Sequence, residues 1–164
     1  MVSQSLFDEP PPYKYLIDSS ALISQKDKDE KFYRHIHVTL WEKIDELIRN
    51  QVIVSCSEVR EEIYYQDDEV AEWFRRIGCL CFEIDDDIQR EVRRILHSHP
   101  ELISFTKNKS SGDPFLIATA MKRNLTIITE ENRRSLCKIP MVCESLKQDC
   151  IDIYTLCERE GWQF

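Results

Sequence analysis

Carboxylates stand at or beside the ends of short apolar runs at several well-separated places in this sequence. Asp18 follows Tyr15-Leu16-Ile17. Glu58, Glu61 and Glu62 come soon after Val52-Ile53-Val54, and Glu130 and Glu131 soon after Leu125-Thr126-Ile127-Ile128. Asp113 opens the segment that precedes this last run. Acids from four segments brought to one rim repel each other, and a hard divalent cation makes such a cluster tolerable. Mg2+ and Mn2+ prefer oxygen ligands. Such a cation can activate water and stabilise the charge of an in-line phosphoryl displacement. The same acids also read as helix caps and solvated strand ends, and the spacing alone leaves both readings open.

The elements that must position these groups follow from pattern. Residues 13–17, 52–54, 80–82, 125–128 and 150–153 are short apolar runs, read as strands. Helical spacing marks 38–49, a stretch from Ser57 that continues through Arg76, and 88–96 behind the Asp85-Asp86-Asp87 cap cluster. Asp113-Pro114 opens a helix through Asn124, a short helix precedes the last strand, and 155–162 closes the chain as a helix. Ser19 or Ser20 caps the helix that starts near Ala21. Residues 102–111 read as a loop. Strands alternating with helices predict an α/β domain with a mostly parallel sheet, whose ligands bind outside the carboxyl ends of its strands. Residues 1–12, ending in three prolines, read as a flexible tail, and 13–164 as a single domain.

Composition narrows the chemistry. The 164 residues suit one domain, and only three glycines, none closely spaced, rule out a glycine loop around phosphate. No apolar run approaches the roughly 18 residues of a membrane span. Seven cysteines, an odd number, with no apolar leader point to free thiols in the reducing cytoplasm. Cys79-x-Cys81 and His97-x-His99 are poor zinc spacings, and core cysteine is the simpler reading. Trp41 and Trp73 fall at core positions, and the four histidines have no triad-like setting. The net charge of −8 argues against a non-specific nucleic-acid coat. Residues 102–138 nevertheless hold seven basic and three acidic side chains. There Lys107, Lys109, Arg133, Arg134 and Lys138 flank Asp113 and Glu131 and could hold RNA phosphates by charge.

Four stretches in order carry a family resemblance. They are Tyr15-Leu16-Ile17-Asp18-Ser19-Ser20-Ala21-Leu22-Ile23, Val59-Arg60-Glu61-Glu62-Ile63, Gly112-Asp113-Pro114-Phe115-Leu116-Ile117-Ala118 and Ile127-Ile128-Thr129-Glu130-Glu131. Together they resemble the motifs of PIN-domain ribonucleases, over about residues 13–153. The Trp41 helix and Ile139-Pro140-Met141-Val142-Cys143 look like an uncharacterised bacterial and archaeal subgroup of those families.

The resemblance implies a three-layer α/β/α sandwich and a Mg2+- or Mn2+-dependent endoribonuclease. Many small members, the VapC-like ones among them, are toxins held inactive by a cognate antitoxin protein. Carried over by motif, Asp18, Glu62, Asp113 and Glu131 are the metal-holding and catalytic acids, with Glu61 and Glu130 as register alternatives. Glu131 stands where the family usually has Asp. The hydroxyls of Ser20 and Thr129 would orient a carboxylate. Cleavage would leave a 5′-phosphate and a 3′-hydroxyl. A homodimer would gather the positive stretch into one groove. The competing reading is a PIN-like scaffold with a degraded site.

Overall fold

In a computed structural model the protein is described over residues 10–100, 112–134 and 138–164, with Gly112 and Asp113 described by backbone alone. Most of the expected tail, the 102–111 loop with Lys107 and Lys109, and Cys137 lie outside the described residues. Five strands and eight helices are described: β1 (Tyr15–Ile17), α1 (Ser19–Ile23), α2 (Val38–Arg49), β2 (Ile53–Cys56), α3 (Ser57–Gln66), α4 (Glu69–Ile77) and β3 (Cys81–Phe82). They continue with α5 (Asp86–Ser98), α6 (Gly112–Arg123), β4 (Thr126–Ile128), α7 (Ile139–Leu146), β5 (Cys150–Ile151) and α8 (Ile153–Glu160).

The sheet order is β3-β2-β1-β4-β5 and each strand pair is parallel. Parallel strands need crossovers, so the central strands β1, β2 and β4 are covered on both faces and read as mostly apolar runs, while the edge strands β3 and β5 are partly exposed. Leu16, Ile17, Ile53, Val54, Ile127 and Ile128 are accordingly fully buried. The chain winds outward from β1 to β2 and β3, then returns past β1 to β4 and β5. Right-handed crossovers therefore place α2 and α7 on opposite faces, giving the three-layer α/β/α sandwich. The winding reverses between β1 and β4, which opens a crevice at their carboxyl ends.

Capping aspartates set three of the described helix starts. Asp85 accepts the Ile88 N–H at 2.8 Å and starts α5. The long helix expected across Asp67 is two helices. Asp67 turns left-handed at φ +46°, and Asp68 accepts the Ala71 N–H at 3.1 Å to start α4. The last strand stops short of Ile153, because Asp152 caps α8 through the Thr155 N–H at 2.8 Å. Neither Ser19 nor Ser20 caps α1; both lie inside its first turn, behind Asp18.

Beside the sheet, an aromatic clamp ties α2 to α4. Trp41 and Trp73 meet edge to face at 6.3 Å, and the Arg34 guanidinium lies 5.2 and 5.1 Å from their rings. Asp45 accepts from both terminal nitrogens of Arg34, at 3.0 and 2.9 Å, and from the Trp73 indole N–H at 3.2 Å. Both tryptophans are core, as their spacing predicts. Asp45→Ala leaves a guanidinium and an indole N–H without their acceptor. It should lower unfolding free energy by about 3 kcal/mol, read by urea titration. A loss under about 1 kcal/mol would show that the clamp rests on its rings alone.

Candidate functional site

Asp18 ends β1 at the point where the winding reverses. It occupies the N-cap position of α1, yet its side chain makes no capping bond. Its Oδ2 instead accepts the Ser20 hydroxyl at 2.7 Å and the Thr129 hydroxyl at 2.9 Å. Each hydroxyl has one proton, and both are spent on this oxygen. The 3.1 Å approach of Ser20 Oγ to Thr129 Oγ1 is therefore a contact between two donors to one acceptor. The hydroxyls in turn accept backbone N–H groups: Glu130 donates to Ser20 at 3.0 Å and Glu131 to Thr129 at 3.2 Å. Asp18 N–H also reaches the Ile128 carbonyl at 2.8 Å. The turn after β4 is thus wired to the end of β1, and Asp18 is only 4% exposed.

Glu62 reaches the same place from α3. Ser19 Oγ donates to its Oε2 at 2.7 Å and lies 3.5 Å from Asp18 Oδ1. One proton makes one good bond, so the shorter contact is the hydrogen bond and the longer one is proximity. Ser19, read from sequence as a helix cap, is a bridge between two acids. Its position directly after a strand-end Asp was the available signal. Glu61 faces outward, 67% exposed, and pairs with Arg60. Glu58, one turn before Glu62, is half-buried. Burial raises its carboxyl above the ordinary range, and the charges of Glu62 and Glu61 act the same way.

After β4 the two glutamates part. Glu130 accepts the Ile153 N–H at the start of α8 at 2.8 Å and lies 3.6 Å from Lys31. Glu131 accepts the Ile139 N–H at the start of α7 at 3.0 Å. Burial raises the Glu131 carboxyl above its usual value, and the charges of Asp18 and Glu62 push the same way; the Ile139 N–H and Lys138 act against them. Asp18, Glu62 and Glu131, with Ser20 and Thr129, therefore share one electrostatic neighbourhood. Asp113 opens α6, but its side chain lies outside the described residues. Arg133 and Arg134 are exposed on the loop after β4.

The donor set is hard carboxylate and hydroxyl oxygen, which fits Mg2+ or Mn2+ and does not fit a thiolate metal. Among the described residues no salt bridge neutralises Asp18 or Glu131. Nor do the described residues gather three His, Cys, Asp or Glu side chains closely enough to hold one ion. The described acids are two well-placed groups, Asp18 and Glu62, and a neighbour, Glu131.

The chain belongs to the DUF4411 family, a domain of unknown function, which it matches over residues 15–164. No curated protein matches it. Among solved structures it is similar to PAE2754 from Pyrobaculum aerophilum, with a TM-score of 0.54, 16% identity, and 96% of this chain and 95% of that one covered. It is also similar to FitAcB from Neisseria gonorrhoeae, with a TM-score of 0.50, 13% identity, and 85% and 98% covered. At these identities the likeness is one of fold, and the fold is PIN-like. No helix among the described residues is long and apolar enough to cross a membrane.

The burial of Glu131 and the repulsion on it have a measurable sign. A carboxyl whose folded value is raised favours its protonated form in the fold, so it takes stability away as pH rises past its ordinary value. Glu131→Gln keeps an acceptor for the Ile139 N–H and removes the charge. In metal-free buffer at pH 7 it should stabilise by about 1 kcal/mol, roughly 2–4 °C in Tm for a chain of this size. A lower Tm would mean that attraction, not repulsion, holds the glutamate.

Proposed function

We propose, from the fold and the motif resemblance, that this protein is a Mg2+- or Mn2+-dependent endoribonuclease working at the rim between β1 and β4. The observation that carries this reading is the treatment of Asp18. An Asp in the best capping position of a helix forgoes the cap and is held by two side-chain hydroxyls beside Glu62 and Glu131. A structural cap has no need of that arrangement.

In this reading Asp18, Glu62, Asp113 and Glu131 hold the cation. When bound, the cation supplies Lewis acidity and offsets the carboxylate charge. Ser20 and Thr129 fix Asp18 Oδ2, leaving Oδ1 turned toward Glu62 through Ser19. The β4 turn, tied to those hydroxyls through two N–H groups, keeps Glu131 in register with Asp18. Arg133 and Arg134, with Lys107 and Lys109, attract the RNA backbone by charge. Hydrolysis leaves a 5′-phosphate and a 3′-hydroxyl.

As the toxin of a toxin–antitoxin pair, the chain needs a surface for a protein. Four of the five large exposed hydrophobic residues among those described, Ile36, Val38, Tyr154 and Phe164, border one groove of about 450 Å3 between the start of α2 and α8. With Glu158 in its wall and a net charge of −8, that groove suits an apolar segment flanked by basic residues, the chemistry of an antitoxin tail.

Cleavage of a mixed single-stranded RNA with Mg2+ or Mn2+ tests the reading. Asp18→Asn and Asp113→Asn should each reduce it to background. Ser20→Ala, which leaves every proposed ligand in place, should reduce it 10–100-fold. Mn2+ at a hundred times its Kd should also stabilise the parent by about 2.7 kcal/mol and leave Asp18→Asn unmoved. Retained cleavage in both Asn variants would remove this site from the reaction. Absent cleavage together with an absent Mn2+ response would favour a scaffold, in which Glu130 and Glu131 serve only α8 and α7.

A further inference from the structure

A cavity of about 510 Å3 that the reaction above does not use has in its wall Gln25 and Lys26, which follow the end of α1 opposite Asp18. Its walls come from three places distant in sequence: Gln25 and Lys26 after α1, Arg34, Asp45 and Arg49 around α2, and Glu69, Trp73 and Arg76 on α4. Arg34 forms its fixed point. The guanidinium is bedded against Trp41 and Trp73, and its Nε donates to Gln25 Oε1 at 2.7 Å. With the two bonds to Asp45, three of its five N–H donors are used and two are left over. The side chain is still 27% exposed.

Charge in the cavity runs against that of the whole chain. Asp45 offsets Arg34, and Asp68 offsets Lys26 at 3.2 Å. Arg49 and Arg76 are exposed and have no ion-pair partner among the described residues, and Glu69 is the one acid left to face them. We propose that this cavity is an anion site that takes a phosphate group, with Arg34 as its oriented donor and Arg49 and Arg76 as its attracting charges. A planar guanidinium held by rings and a carboxylate has already lost its rotamer freedom, so its remaining donors bind phosphate at little further cost in entropy. The five residues of α1, at a rise of about 1.5 Å each, and Ser24 separate Asp18 from Gln25 in this wall. An RNA strand lying across the rim could reach it, and so could a free nucleotide.

Binding is measured by tryptophan fluorescence on the full chain in EDTA, so that cleavage plays no part. The probes are pyrophosphate, adenosine 5′-monophosphate and a 12-nucleotide single-stranded RNA. All three should bind the parent, and RNA should bind tightest if the strand is the natural source; a mononucleotide equal to RNA would assign the site to free nucleotide. The Arg49→Glu/Arg76→Glu double variant should keep the parent Tm and weaken every probe at least tenfold. Its salt dependence for RNA should be shallower by roughly 1.4 in log–log slope, about 0.7 per lost contact. Glu69→Gln should tighten all three probes. Parent-like affinity in the double variant overturns the anion site, whether or not RNA is cleaved. Loss of cleavage in Asp18→Asn with binding unchanged leaves it standing and separates the two sites.

Discussion

Two hydroxyls sharing one carboxylate oxygen hold together the rim between β1 and β4. Ser20 comes from the helix after β1 and Thr129 from the end of β4, and both give their only proton to Asp18 Oδ2. Rotating Asp18 breaks both of these bonds, and each hydroxyl is itself held by a backbone N–H of the turn after β4. The parallel pairing of β1 with β4 sets the two segments side by side, and the hydroxyl pair locks their ends. Everything else at the rim, Glu62 through Ser19 and Glu131 through its own N–H, is positioned relative to that lock.

Much of this was legible in the sequence because it follows from local pattern. Solid apolar runs gave the strands, and alternation with helical spacing gave the parallel sheet. Asp85 and Pro114 marked helix starts. Errors fell where one backbone angle decides. Nothing in the spacing around Asp67 distinguishes a continuing helix from a left-handed residue followed by a fresh cap, since Asp serves either. Likewise Asp152 reads equally as the middle of an apolar strand or as the cap that ends it.

The site was legible by residue and less so by role. The motif positions of Asp18, Glu62 and Glu131 meet in one neighbourhood, while Glu61 and Glu130 turn to Arg60 and to the start of α8. Sequence could not separate Glu130 from Glu131, because the difference lies in which helix terminus each one reaches. Ser19 was assigned the ordinary work of a serine before a helix, whereas its bond runs to a residue 43 positions away. The cavity beside α1 was invisible for the same reason. Arg34, Arg49 and Arg76 are scattered among acids in an acidic half of the chain, and only folding brings them to one cavity.

The span between the two halves of the lock sets a timetable for the living cell. Thr129 follows Asp18 by 111 residues. At the roughly 5–20 residues per second of a ribosome, on the order of ten seconds pass between the making of one half and the other. During that interval the emerging polypeptide has β1 but no β4 to set beside it, and Asp18 has neither Thr129 nor Glu131 for a neighbour. A molecule built this way closes the rim between β1 and β4 only as its final third leaves the exit tunnel.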